Sequence, residues 1–326
     1  MLLNIILIII GFVLLIKGAD FLVDGASEIA KKFHIPEIVI GLTIVAIGTS
    51  MPELVVSVTS AIEGYSDLAI GNVVGSNIAN MFLILGVCSI IKPLKFKKET
   101  RLFEIPFTII STILLFFLCI NGSAEQINTI TIEEGIILLV LCILFIIYNL
   151  IMARKGEEFD KEGRILEIIT EENKEVPVLE SLFGIIIGIA GLKLGGDLVV
   201  ENSVEIAKIL GITEKLISLT IVAFSTSLPE LITSIAATKK GETDMAIGNI
   251  LGSQIFNILL IIGVSATLTP INYSKSYDSN IIFLIVGSIV LGLFPFIGKK
   301  NEMTRSNGLL FVFSYIVYLI SIVYFA

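Results

Sequence analysis

The chain has 326 residues, 55% hydrophobic and 16% charged, with a formal charge of −8. Soluble domains carry about 25% charged residues, and the mean hydropathy here is +0.97, so a water-soluble globular fold is excluded and an integral membrane protein is expected. The single histidine cannot form a histidine cluster, and the three cysteines all lie in apolar blocks, as buried thiols rather than a disulfide framework.

Apolar blocks of about 18 residues or more predict membrane-spanning helices, and ten are read along the chain. The first, 2–19, lacks a basic n-region and a small-residue cleavage site, so it is a span and not a leader. His34 follows it, in a position suited to interfacial packing. Spans 37–62, 67–91, 102–120 and 129–152 complete the first half. Residues 153–179 are polar and mixed in charge, and read as a solvated linker. Spans 180–207, 213–238, 244–270, 279–298 and 306–325 form the second half. Orientation follows Lys and Arg. One alternating set of loops carries seventeen of them and the other three, which places both termini outside and the linker in the cytoplasm.

Shifted by 177 residues, the chain overlays itself without a gap. GADFLVDGASEIAKK (18–32) meets GGDLVVENSVEIAKI (195–209), LTIVAIGTSMPEL (42–54) meets LTIVAFSTSLPEL (219–231), and DLAIGNVVGSNIAN (67–80) meets DMAIGNILGSQIFN (244–257). Across 18–80, 31 of 63 positions are identical. Equivalent elements lie five spans apart, and an odd number of crossings reverses direction. The expected fold is therefore all-α, with ten transmembrane helices in two inverted five-helix repeats. Repeat one covers 1–152, with its motif at 37–82. The linker is 153–179. Repeat two covers 180–326, with its motif at 213–259. Inverted repeats with interrupted helices are typical of secondary transporters, whose sites lie near the bilayer midplane.

The repeated motif puts a helix breaker beside a carboxylate in mid-span. Pro52 has no N–H, so the Gly48 carbonyl loses its helical partner, and Pro229 does the same to Ser225. In hydrocarbon such groups must be satisfied. Glu53 and Glu230 sit at comparable depth, where a carboxylate costs roughly 2.5–3.5 kcal/mol on insertion scales. No base lies near them in spans two, three, seven or eight, so the acids are either protonated or hold cations. Thr49, Ser50, Thr226 and Ser227 add hydroxyls. Asn72, Ser76 and Asn80 share one helix face, as do Asn249, Ser253 and Asn257. This is a set of hard oxygen donors, suited to Na⁺, Ca²⁺ or similar ions rather than zinc or copper. Each feature alone has an ordinary structural explanation: a kink, a hydroxyl bonded back to its helix, small-residue packing. Their conjunction in both copies points to a cation site. Asp67 and Asp244 read as helix N-terminal caps. Asp20, Asp24, Asp197 and Glu201 read as water-facing, with lining of an ion path as the alternative, and Lys193 as snorkelling or paired with a nearby acid.

These stretches, G-T-S-x-P-E followed by G-N-x-x-G-S-x-I-x-N, resemble the two alpha repeats of the sodium/calcium exchanger family, within the cation/calcium antiporter superfamily. The resemblance covers the whole ten-span layout. It implies alternating access with exchange of Na⁺ for Ca²⁺, and sliding of the first and sixth spans across the core. It implies metal ligation by Glu53 and Glu230, with Thr49, Ala46, Thr226 and Ala223 through their carbonyls, and with Ser50, Ser227, Ser76, Ser253, Asn80 and Asn257. The partners it implies are Ca²⁺, Na⁺ and the lipid bilayer of the cell membrane, with no cofactor, no nucleic acid and no enzymatic activity, in a protein expected to work as a monomer. The chain departs from the family pattern in three places: Ser225 replaces a glycine, Asn257 stands where some members carry aspartate, and Gln254 replaces the asparagine found at Asn77. With asparagine at both 80 and 257, two acids balance one Ca²⁺ outright and three Na⁺ leave a surplus charge, which predicts electrogenic exchange. The missing acid leaves Ca²⁺/H⁺ antiport as the alternative. A cation channel and an intramembrane aspartyl-type enzyme fit less well, since one chain supplies both halves of the site and no nucleophile–histidine pair exists.

Overall fold

The computed structural model describes residues 1–120, 128–163, 178–210, 223–297 and 301–325. Nearly all of these are helical: α1 (Leu2–Lys32), α2 (Glu37–Thr49), α3 (Met51–Ile62), α4 (Ser66–Ile91), α5 (Thr100–Cys119), α6 (Ile132–Gly163), α7 (Val178–Ile209), the short turn α8 (Ala223–Ser225), α9 (Leu228–Lys240), α10 (Thr243–Leu268), α11 (Lys275–Phe296) and α12 (Arg305–Phe325). Among the described residues, eight helices are long and apolar enough to cross a membrane, or nine when the bent pair α2–α3 is one span. The start of the expected span 213–238 and most of the linker 153–179 lie outside the described residues.

Burial sorts the helices into layers. The apolar windows of α4 and α10 are 72% and 89% buried, against 28% for α1 and α6 and 17% for α12. The central pair is therefore wrapped by protein, while the others present leucine and isoleucine outward, as lipid-facing helices must. Two hydrophobic clusters result. The larger gathers around α4 and α10 with Phe82, Phe256, Leu259 and Phe311. The smaller lies under α1 and α7 and includes Leu15, Leu22, Ile185 and Leu192.

Small residues set the closest approaches, as is usual where lipid removes the hydrophobic drive between helices. Gly11 faces Gly195, Gly18 faces Gly188, and Gly25 faces Ser181, so α1 and α7 run antiparallel. A Cβ on Gly18 would meet the Gly188 carbonyl at 2.8 Å. Where α2 crosses α10, a Cβ on Gly41 would lie 2.5 Å from the Met245 carbonyl.

Some boundaries differ from expectation for physical reasons. α1 continues past 19 to Lys32, because the acids that lowered its hydropathy are paired: Lys240 reaches Asp24 at 2.8 Å and Asp20 at 3.4 Å. Residues 128–130 are strand rather than the start of a span. They form β2 (Asn128–Ile130), which pairs antiparallel with β3 (Ile271–Tyr273) in the register Thr129↔Asn272. A second pair joins β1 (Leu94–Lys95) to β4 (Glu302–Met303). Asp67 and Asp244 lie in the first turns of α4 and α10 but make no capping bond. Asp244 instead holds Lys97 at 2.6 Å, and the Asp67 carbonyl accepts the Tyr277 hydroxyl at 2.9 Å. Lys193 pairs with Asp197 at 3.0 Å. His34 is exposed in a left-handed turn, with φ 54°.

Candidate functional site

Each Pro-Glu pair marks a helix interruption. α2 stops at Thr49, Ser50 takes φ −84° and ψ 8°, and α3 starts at Met51, bent by 50° from α2. Ser227 takes nearly the same backbone, φ −85° and ψ 3°, before α9. In the second copy, residues 211–222 lie outside the described residues; in the first, where a kinked span was expected, the chain forms two half-helices. Proline sits in the first turn of the second half, where a missing N–H costs nothing. The Ala46 carbonyl closes the first half by accepting the Ser50 N–H at 3.0 Å and the Thr49 hydroxyl at 3.3 Å. Ala223 opens the turn α8 in the corresponding place. Both glutamates lie in a first helical turn, where the helix dipole favours an anion.

The fold brings the two motifs into one network. Ser50 from the first copy donates to Glu230 of the second at 2.9 Å. Ser76 donates to Glu53 at 3.5 Å and lies 3.3 Å from the Thr226 hydroxyl. Glu53 and Glu230 are both fully buried, as are Thr49, Ser76, Asn80, Ser227, Ser253 and Asn257. Thr226 is 8% exposed and Ser50 4%. Ser50, Glu230, Ser76, Glu53 and Thr226 are thus linked across the two copies, and the other predicted side chains named here are buried as well.

The scaffold bonds recur at the 177-residue offset. Thr49 donates to Asn249 at 3.1 Å, and Thr226 donates to Asn72 at 3.2 Å. Asn72 donates to Ser57 at 2.9 Å, and Asn249 donates to Ser234 at 2.9 Å. Asn72 and Asn249 thus tie one copy's threonine to the other copy's α4 or α10 helix, instead of touching the carboxylates. Ser57 and Ser234 were missed in the sequence reading. The signal was available: both serines stand four residues after the glutamate, identical in the two copies.

What remains is a set of unpaired polar atoms, nearly all of them oxygens. Glu53 Oε2, Glu230 Oε2, Ser227 Oγ, Ser253 Oγ, Asn257 Oδ1 and both amide atoms of Asn80 are buried without a hydrogen-bond partner. Leaving a buried polar atom unpaired costs about 1–3 kcal/mol, more when it is charged. Buried polar atoms without partners are uncommon in native proteins, and several here belong to the repeated motifs. A dehydrated hard cation answers the deficit: it takes several oxygens at once and neutralises carboxylates. Among the described residues no three His, Cys, Asp or Glu side chains cluster, so the charge offered to such an ion is that of two acids.

A bundle of apolar helices with paired interruptions, two sealed carboxylates and a shell of hydroxyl and amide oxygens defines a membrane transporter of hard cations. Comparison narrows the class. The profile of the sodium/calcium exchanger protein family matches residues 3–151 and 180–324, and the chain belongs to that family, whose members carry Na⁺ and Ca²⁺ without a cofactor. It is 34% identical to the inner membrane protein YrbG of Escherichia coli (strain K12), covering 98% of this chain and 96% of that one. It is 31% identical to the sodium/calcium exchanger MaX1 of Methanosarcina acetivorans, over 98% and 99% of the two chains. The solved structure of the sodium-calcium exchanger NCX_Mj, soaked with 2.5 mM Na⁺ and 0.1 mM Ca²⁺, matches with a TM-score of 0.80 at 31% identity, covering 98% of each chain.

Proposed function

We propose that this protein exchanges Na⁺ for Ca²⁺ by alternating access, through one site built from both repeats. The observation that carries the reading is the buried oxygen shell contributed by α3, α4, α9 and α10, with Glu53 and Glu230 at its centre. Ca²⁺ is held by these two carboxylates, with Ser76, Ser253, Asn80 and Asn257, and with the carbonyls of Thr49 and Thr226. Na⁺ takes flanking positions near Ala46, Ser50, Ala223 and Ser227. These site assignments follow the order of the motifs and the set of unpaired oxygens.

The topology is ten helices in two inverted repeats, 1–152 and 180–326, joined by a cytoplasmic linker at 153–179, with both termini outside. Several contacts support this arrangement. β1 pairs with β4, and Lys97 with Asp244, so their loops share a side. β2 pairs with β3, and Ser66 with Asn272, on the other side. The antiparallel packing of α1 on α7 fits an odd number of crossings between them. α1 and α7 lie on their own apolar cluster, apart from the main core, and are the elements that slide. The protein works as a monomer, since a single chain completes the site.

Flux into proteoliposomes tests the reading. Ca²⁺ uptake driven by an outward Na⁺ gradient is expected. Uptake that follows a pH gradient and ignores Na⁺ would replace it with Ca²⁺/H⁺ antiport, which a site with two acids leaves open.

A further inference from the structure

The asparagine–threonine and asparagine–serine bonds of the site obey the 177-residue symmetry, whereas Ser50 and Ser76 reach the carboxylates and their mates Ser227 and Ser253 do not; a further break lies among residues 77, 80, 254 and 257. Asn257 Nδ2 donates to Asn77 Oδ1 at 2.9 Å, and Asn77 Nδ2 donates to the Gln254 carbonyl at 3.3 Å. The repeat maps residue 77 onto 254 and residue 80 onto 257. The symmetry mates of these bonds would run from Asn80 to the Gln254 side chain, and from that side chain to the Asn77 carbonyl. Neither is made. Both amide atoms of Gln254 and both of Asn80 are fully buried without partners. The difference is one methylene: glutamine at 254 carries its carboxamide past the point where asparagine at 77 holds its own.

A carboxamide has one donor end and one acceptor end. Anchoring the nitrogen of Asn257 decides where its oxygen points, and that oxygen is buried and unpartnered. It lies one turn beyond Ser253 on the same face of α10. Asn80 has no such anchor, so nothing fixes which end of its carboxamide it presents.

We infer that Asn77 is a positioning residue that holds Asn257 with its oxygen toward the transported cation, and that Gln254 denies Asn80 the same support, making the two central asparagines unequal ligands. This rests on the proposed Ca²⁺ site. Residues that orient a metal's direct ligands typically contribute 10- to 100-fold to affinity. The unequal pair also shows how a site with only two acids can favour one binding pose: the fixed oxygen lies on the second repeat's side.

The test is Ca²⁺ binding to the purified protein by isothermal titration calorimetry, with Glu53→Gln alongside. Asn77→Leu keeps the volume and removes both bonds, and should raise Kd about 10-fold. In an Asn257→Ala background the same substitution should add less than about twofold, because the residue it positions is gone. Gln254→Asn recreates at 254 the side chain already accommodated at 77, and should tighten binding at least threefold by anchoring Asn80. An Asn77→Leu effect of equal size with and without Asn257, or a Gln254→Asn variant that binds no more tightly, overturns the assignment. Should Asn77→Leu not fold, Gln254→Asn alone decides. Wild-type binding by Glu53→Gln would instead overturn the site itself, so the two failures are distinguishable.

Discussion

Glu53→Gln separates the charge of the site from its shape. The side chain is fully buried in the first turn of α3, and its Oε1 accepts from Ser76 at 3.5 Å while Oε2 has no partner. Glutamine keeps the volume and an acceptor oxygen, so no cavity opens and the Ser76 contact survives. What is lost is one of the two buried negative charges of the proposed Ca²⁺ site. Removing one partner of a buried charge pair costs about 2–5 kcal/mol, and at about 3 kcal/mol Kd for Ca²⁺ rises roughly 150-fold. A ligand that binds only the native state stabilises it by RT ln(1 + [L]/Kd). At a Ca²⁺ concentration of about 100 Kd the wild type gains about 2.7 kcal/mol, and the variant at that concentration gains about 0.3 kcal/mol. Thermal unfolding in detergent, with Ca²⁺ and with chelator, reads this directly. The variant should unfold in chelator no earlier than the wild type, since it buries one ion fewer. It should show almost no Ca²⁺-dependent shift and no Ca²⁺ flux. A wild-type shift together with wild-type flux would refute the reasoning. Glu230→Gln should behave alike, its Oε1 being held by Ser50.

Three further outcomes are expected. Thr49→Ala and Thr226→Ala each strand an asparagine oxygen in the cross-repeat scaffold, and thermal unfolding should register losses of about 1–3 kcal/mol for both; a loss confined to one would contradict the paired scaffold. In Gly188→Ala the new Cβ would meet the Leu22 N at 2.7 Å and the Gly18 carbonyl at 2.8 Å, whereas at Gly196 nothing lies within 4 Å. Gly188→Ala should cost about 1–3 kcal/mol of unfolding free energy and Gly196→Ala nothing, with equal effects at both sites as the disproof. Lys97 lies outside the spans; partial burial pulls its pKa down, but the Asp244 carboxylate outweighs this and holds it above the ordinary value. A raised lysine stabilises the fold at every pH below its unfolded value of about 10.4, and the benefit fades as pH climbs through the folded value. Lys97→Met should therefore cost under about 1 kcal/mol, this being a half-exposed pair, and the deficit should be constant from about pH 6 to 9; unfolding curves in which it disappears by neutral pH would exclude the pairing.

The degree to which the chain's own letters reveal this architecture follows from where chemistry is expensive. A carboxylate beside a proline in hydrocarbon admits few explanations, and its recurrence after 177 residues admits fewer; hence Glu53, Glu230 and their hydroxyl neighbours could be named before any coordinates. Helix ends were less legible, because charges such as Asp20 and Asp24 lower hydropathy whether or not a partner like Lys240 satisfies them. The strand pairs were invisible, since two or three residues at a loop edge carry no periodicity. The split of the first repeat's second span into half-helices was also hidden: proline alone does not say whether a helix bends or ends.

The hardest part to foresee was the division of labour among identical residues. Asn72, Asn80, Asn249 and Asn257 have the same side chain on the same kind of helix face, yet only two of them leave buried amide atoms unsatisfied. Asn72 and Asn249 spend both ends on the threonine and serine that brace the half-helices. Asn80 and Asn257 sit two turns further along, beyond the reach of those hydroxyls, and keep oxygen in reserve. An amide becomes available to an ion only when the protein leaves it incompletely paired, and that is a property of the pairing partners rather than of the asparagine. Duplication supplies most of these partners in matched sets, and a mismatch such as glutamine for asparagine at 254 leaves the two halves chemically different.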